Sequence, residues 1–321
     1  MISRTDARIL RGPAIVTFNG VTFWVKDEIK INTRYDLFEI VVSGLGTLDK
    51  RVQQIVTEIT FTPAGEIEGT TPASVFEVLY PHTACRPGAS AMPSTDKSVV
   101  VWPINGKEKL TYSSGFVSKM PDLLLSAVKT VMGQVTLTCI GTDNQAWSNA
   151  AHLFSLADAA FTDTSLTLAS ILTVPYSAAL GALSDPWASI QTKDGWTLSF
   201  DVGIEPEGVD DTGLFDWLYN GNASVSVKCK PIGIKVADLH GLMKLQGAGV
   251  ARGMSILDKA QTLVITGGAS NPKATIYGCT LQTAQHAYAI GDRVPDLEFR
   301  TLRTLNAGAL VDLFKLEVNA A

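Results

Sequence analysis

The chain has 321 residues, of which 46% are hydrophobic and 18% charged, and its net charge is −5. That length exceeds the usual single domain and leaves room for two domains of about 150 residues, each able to bury a core. An acidic balance without any basic cluster weighs against a protein that grips phosphates, and no run approaches the ~18 apolar residues that a membrane-spanning helix needs.

In chain order, MISRTDARILRGP at the N-terminus carries charges throughout and lacks the apolar stretch of a secretory signal, so synthesis in a cytoplasm is expected. Residues 16–25, VTFNGVTFWV, set Asn19-Gly20 between two alternating runs, which predicts a two-residue β-hairpin. Residues 35–42 read as a strand. Another is predicted through Ile55, Ile59 and Phe61, which alternate with Gln54, Glu58 and Thr60. Further strands are expected at 99–104, 222–229, 262–266 and 312–318.

One stretch returns later in the chain. EITFTPAGEIEGTTPASVFEVLY at 58–80 aligns without a gap with TLSFDVGIEPEGVDDTGLFDWLY at 197–219, an offset of 139. Ile59 pairs with Leu198, Phe61 with Phe200, Glu66 with Glu205, Glu68 with Glu207, Gly69 with Gly208 and Phe76 with Phe215. Both stretches read as a strand, a turn and a short helix, the first helix opening at Thr71-Pro72 and the second capped by Asp211. Phe76, Leu79 and Tyr80, with Phe215, Leu218 and Tyr219, are the helix residues expected to seal the core or a seam between subunits. The likeness continues more weakly: KLTYSSGFV at 109–117 resembles KATIYGCTL at 273–281, and VTLT at 135–138 resembles LEFR at 297–300. These predict a mainly β protein of two tandem sandwiches or small barrels, each with a short flanking helix, at 1–150 and 151–321. QAWSNAAHLFSLADAAF, between them, reads as a helical connector, and VADLHGLMKLQGAGVARG as a loop with a helical turn.

Signatures of chemistry are sparse. There is no GxxxxGK[ST], HExxH or GxSxG, and the glycine pairs at 44–46 and 247–249 read as turns. Cys85, Cys139, Cys229 and Cys279 form no CxxC, and His82, His152, His240 and His286 stand at no ligand spacing, so no metal, cofactor or catalytic residue is assigned. Glu66, Glu68, Asp210 and Asp211 read as acids beside helix starts. Trp24, Trp102, Trp187, Trp196 and Trp217 read as packing residues.

GPAIVTFNGVTFWVKDEIKI with FTPAGEIEG, and QGAGVARGMS, LVITGG, KATIYGCTLQ and LEFRTLRTLNAGALVDLFKL nearer the end, resemble the tail tube (major tail) proteins of long, non-contractile-tailed bacteriophages, in the variant with two tube folds per chain. The resemblance implies β-sandwiches joined edge to edge into a ring around a hollow lumen, trimeric with pseudo-sixfold symmetry. It implies stacking of rings through long loops, here 26–50 and 231–255, and a place in the virion tail after assembly in the host bacterial cytoplasm. The implied partners are the chain itself, the tape-measure protein, other tail proteins and double-stranded DNA in transit, with no membrane and no cofactor. Open sheet edges that pair with neighbours, and head-to-tail contacts that close, fit such an assembly physically. The polar strand faces at Glu58, Thr60, Thr197, Ser199 and Asp201 are the candidates for the lumen, whose acidity in that family accords with the net charge. Competing readings are a distal tail or tail-terminator ring, a secretion-system tube, and a carbohydrate-active β-sandwich enzyme marked by Trp217 beside Asp216.

Overall fold

The computed structural model describes residues 14–64, 72–82, 85–91, 97–104, 108–112, 114–127, 130–140, 155–158, 176–181, 183, 186–209, 213–235, 237–239, 242, 255, 260–268, 272–285, 295–302, 305–306, 309–310 and 312–318. In the first half they form β1 (Ala14–Phe18), β2 (Val21–Trp24), β3 (Lys30–Val42), β4 (Gly46–Phe61), α1 (Pro72–Leu79), β5 (Val99–Pro103), β6 (Glu108–Tyr112), β7 (Gly115–Lys119), β8 (Leu123–Leu125), β9 (Thr130–Met132), β10 (Val135–Ile140) and β11 (Ser155–Asp158). The second half holds β12 (Ser177–Leu180), β13 (Thr192–Asp201), β14 (Ile204–Val209), β15 (Gly213–Tyr219), β16 (Ser224–Pro231), β17 (Gln261–Thr266), β18 (Pro272–Gln285), β19 (Asp296–Thr301), β20 (Leu305–Asn306), β21 (Ala309–Leu310) and β22 (Phe314–Val318). The protein is mainly β, and every strand pairing is antiparallel among the described residues.

Asn19-Gly20 makes the hairpin its sequence predicts. Both residues take positive φ, 46° and 78°, which is the type I′ turn whose twist suits two antiparallel strands, and Phe18 lies opposite Val21.

The two halves use the same pairing scheme. In the first, one sheet runs β2-β1-β5-β6-β11 and the other β3-β4-β10-β7. In the second, one continuous nine-stranded sheet runs β12-β17-β18-β19-β16-β13-β8-β9 with β22 on β18; within it β12-β17-β18-β22 follows the pairing order β1-β5-β6-β11, and β13-β16-β19-β18 follows β3-β4-β10-β7. Registers correspond as well. The row Val16, Val101, Leu110, Leu156 answers to Ala178, Ile265, Ala274, Leu316. The row Ile31, Ile59, Leu137, Val117 answers to Leu198, Val227, Phe299, Leu281. Where β6 and β7 are separate strands, β18 runs on through Gly278, whose φ of 62° turns the chain from one of these parts of the sheet to the other.

Buried side chains from both halves form one contiguous cluster. Phe23 stacks on Phe61 between the two sheets of the first half at 5.9 Å. Tyr80, at the end of α1, contacts Phe200 of β13 at 5.0 Å, and Phe200 contacts Phe314 of β22 at 4.8 Å. Full burial of side chains this size stabilises by roughly 1.5–3 kcal/mol each, so the helix of one half is bonded into the core of the other. Hydrogen bonding also crosses residue 150: β8 pairs with β13, β11 with β6, and residues 88–91 with β15.

Two expectations are corrected. Residues 213–219 are a strand, not a second helix; the α-helical residues described in the second half lie further on, at 237–239 and 242. Phe215 and Tyr219 stand four apart, a spacing common to both periods, but Trp217 midway extends the row with period 2, and β15 is held by β14 on one side and Ala89 and Ala91 on the other. In the connector, residues 155–158 form a strand paired with β6 rather than a helix; 145–154 and 159–161 lie outside the described residues. In pairing order β13 stands where β3 does and β16 where β4 does, whereas the offset of 139 sets β4 against β13; period-2 alternation is shared by neighbouring strands of any half-buried sheet and allows either alignment.

Candidate assembly surfaces

β4 is paired with β10 only from Val56 to Phe61. Beyond Val56, among the described residues, β3 and β4 pair with each other alone as far as Val42 opposite Gly46, where a tight turn closes with Leu45 N donating to Val42 O at 3.1 Å. The free part forms a two-stranded arm roughly 25 Å long at about 3.3 Å per residue, and all residues from 41 to 52 are exposed.

Ile31 lies opposite Ile59, so it starts on the core face of its sheet. Alternation along β3 then carries that face outward through Thr33, Tyr35, Leu37, Glu39 and Val41. Ile59 is completely buried, whereas Tyr35, Leu37 and Val41 are exposed, Val41 by 65% and Leu45 at the turn by 71%. A core face thus continues past the body with nothing upon it among the described residues. A lone two-stranded ribbon is marginally stable in water at best, and exposed apolar side chains along one mark a surface that is covered in use. Lys50 pairs with Glu39 on the arm and holds its carboxyl below the usual range.

Sequence reading places a strand at 35–42 but misses the arm. A signal was present: Leu37, Phe38, Ile40, Val41 and Val42 break the polar alternation that a strand with one wet face keeps.

The five polar candidates occupy the outer faces of the two corresponding sheets. Glu58 lies opposite Thr138 and Asn32, with Arg34 Nη1 at 3.5 Å, and Thr60 shares a hydroxyl contact with Thr136 at 3.2 Å. Thr197, Ser199 and Asp201 lie on β13 opposite Lys228, Ser226 and Ser224. The second face is charge-mixed rather than acidic, with Lys228 3.9 Å from Glu298, Lys230 3.6 Å from Asp194 and Arg300 3.1 Å from Glu298. These pairs border a shallow basin of about 390 Å³.

Of the helix candidates, Phe76, Leu79 and Tyr80 are buried within the chain's own core, and so is Tyr219, on its strand. Leu218 is half-buried and bridges to Ser90; the Phe215 side chain lies outside the described residues, as do Glu66, Glu68, Asp210, Asp211, His152, His240, His286 and Gly247–Gly249. Among the described residues the buried Tyr80 hydroxyl has no hydrogen-bond partner, and burial holds that phenol well above its ordinary pKa. Asp216 Oδ1 accepts from Ser90 Oγ and from Trp217 N, both at 2.7 Å, while the Trp217 ring packs on Phe116 at 5.8 Å. The four cysteines are buried and in no disulfide, and burial pushes Cys139 and Cys279 up to about 12. Among the described residues no group of three or more His, Cys, Asp and Glu is arranged to hold a metal ion, and no helix is long and apolar enough to cross a membrane.

Comparison with known proteins yields no match to any family model and none to any curated protein.

Proposed function

We propose that this chain is the self-assembling subunit of a bacteriophage tail tube, two copies of one sandwich fold in tandem that close into rings and stack around a lumen. The observation that carries the reading is the β3–β4 arm, on which a core-facing apolar row leaves the body uncovered. A neighbouring subunit is its natural cover, since a contact between unlike surfaces repeats from copy to copy and generates rings or open stacks. The shared pairing scheme of the halves supports the tandem arrangement, and three such chains supply six sheet modules to a ring.

In this reading the outer polar faces bearing Glu58, Thr60, Thr197, Ser199 and Asp201 line the lumen. Their interleaved charges neutralise one another locally, which suits a wall along which the tape-measure protein and then DNA pass without adhering. The protein belongs to the virion tail, assembled in the bacterial cytoplasm.

Electron microscopy of the purified protein tests the proposal. Long hollow filaments are expected. Rings that stop at one layer would instead indicate a terminator or distal tail protein, and a monomer at every concentration would overturn self-assembly altogether.

A further inference from the structure

The chain leaves β13 through β14 and returns by β15 to β16, at the place where the arm stands between β3 and β4. The bases of the two hairpins match in register. Leu37 follows Ile31 by six residues and lies opposite Val52; Ile204 follows Leu198, which holds the place of Ile31 in its row, by six and lies opposite Tyr219. Two residues further along, Glu39 faces Lys50 in the arm and Pro206 faces Trp217 in β14–β15. The arm and the β14–β15 hairpin are therefore one element in two settings.

Of the two, β14–β15 is folded onto the first half of its own chain. Residues 88–91 run along β15, with Tyr219 N donating to Ala89 O at 2.9 Å and Ala91 N to Trp217 O at 2.6 Å, and the Trp217 ring packs on Phe116 of β7 at 5.8 Å. Tyr219 is 2% exposed in consequence, whereas Val52, in the same place on the arm, is 39% exposed. The face that the arm leaves bare is thus the one by which β14–β15 grips the half beside it.

We infer that the arm closes the ring rather than joining successive rings: its bare face grips the second half of a neighbouring copy, as β14–β15 grips the first half within a chain. This rests on the tube reading, and it gives the arm a different task from the stacking that the resemblance implies for 26–50. Register supplies the receiving place. Phe116 precedes Val117 and lies opposite Thr138; in the second half Thr280 precedes Leu281 and lies opposite Arg300. Arg300 is exposed and 3.1 Å from Glu298, and Gln282 Nε2 donates to Thr280 Oγ1 on the same face. Hairpin and seat change together. Where Trp217 meets the aromatic Phe116, Glu39 and Lys50 meet Arg300 and Glu298, so an apolar contact is exchanged for pairs of opposite charge that fix the register of the two copies. Leu37 and Val52 are buried at this seam, and the contact is head-to-tail, as a closing ring requires.

The test uses the full chain. Leu37→Asp charges the bare face at a residue exposed in the single chain, so thermal melting should stay as in the wild type. The concentration needed for assembly should rise at least tenfold, with single chains in sedimentation below it. Closed rings of this variant that fail to lengthen would give the arm to stacking and overturn the inference. In parallel, Lys50→Cys is combined with Arg300→Cys or Gln282→Cys and assembled protein is oxidised, the native thiols being buried. At least one pair should give covalent products that stop at the number of chains counted in one ring by electron microscopy, because a contact within a ring ends where the ring closes. A ladder running past that number, filaments in which neither pair cross-links, or normal assembly of Leu37→Asp would overturn the inference and leave the tube reading standing. A wild type that never assembles would remove both.

Discussion

Tyr80 hides a hydroxyl that has nothing to bond to among the described residues, a cost of about 1–3 kcal/mol for a buried unsatisfied group. Its ring is the useful part, touching Phe76 at 6.2 Å and Phe200 at 5.0 Å. Tyr80→Phe keeps those contacts and removes the orphan, so it should raise stability by about 1 kcal/mol in urea denaturation; a loss would show that the hydroxyl has a partner. Titration of buried groups gives a second expectation. Burial raises Tyr112, Cys139 and Cys279 to about 12, and Tyr80, Tyr219 and Cys229 upward too. The unfolded chain releases these protons first, from about pH 8.5 for thiols and about 10 for phenols. Their contribution is thus fully present below those values and is lost as pH climbs toward 12, so urea midpoints should hold steady to about pH 8 and fall steeply above 10. At this scale the sequence was readable wherever one residue type answers one backbone demand, as at Asn19-Gly20. Where a side chain satisfies two periods at once, as Phe215 and Tyr219 do, spacing could not choose between helix and strand, and only the partners of β15 decide.

The arm is the element in which local preference and burial disagree. Its residues pair well as strands, yet their apolar row has no partner within the chain among the described residues, so it adds little to the fold and much to whatever covers it. Asp36 and Gln54 lie directly opposite each other at its base. Replacing residues 37–53 by Asn-Gly would close that pair with a two-residue turn. The unfolding free energy should then change by no more than about 1 kcal/mol, as for surface changes, while filaments seen by electron microscopy disappear. A large loss of stability would mean that the arm is packed on its own body. The strand at 35–42 was legible because strand propensity is local. That it leaves the body was not, since exposure depends on where β10 stops pairing, at Val56, and this is set by residues some eighty positions further along.

For the molecule as a whole, the likeness of pairing order between the halves and the joint between them pull in different directions. The order of the first half's two sheets is followed within the one nine-stranded sheet of the second, yet the connections from α1 to β13 and β22, and from β8 to β13, tie the halves into one cluster. The weaker sequence likeness of 109–117 to 273–281, a step of 164 residues, is the one that the pairing of β7 with β10 and of β18 with β19 follows. The longer match at 139 sets β4 against β13, which differ in pairing order, and alternation looks alike in any two strands with one buried face. A test of the joint follows from Phe200, which stands between Tyr80 of the first half and Phe314 of the second. Phe200→Ala should cost about 3–5 kcal/mol, and if the core is one unit the loss falls on both halves together. The native cysteines report this directly, with Cys85 and Cys139 in the first half and Cys229 and Cys279 in the second, all buried. In wild type and variant alike the four thiols should become reactive over a single urea transition, displaced to lower urea in the variant. Exposure of Cys229 and Cys279 while Cys85 and Cys139 stay protected would show instead that the aromatic joint only abuts two independent units, and that each sandwich carries its own stability.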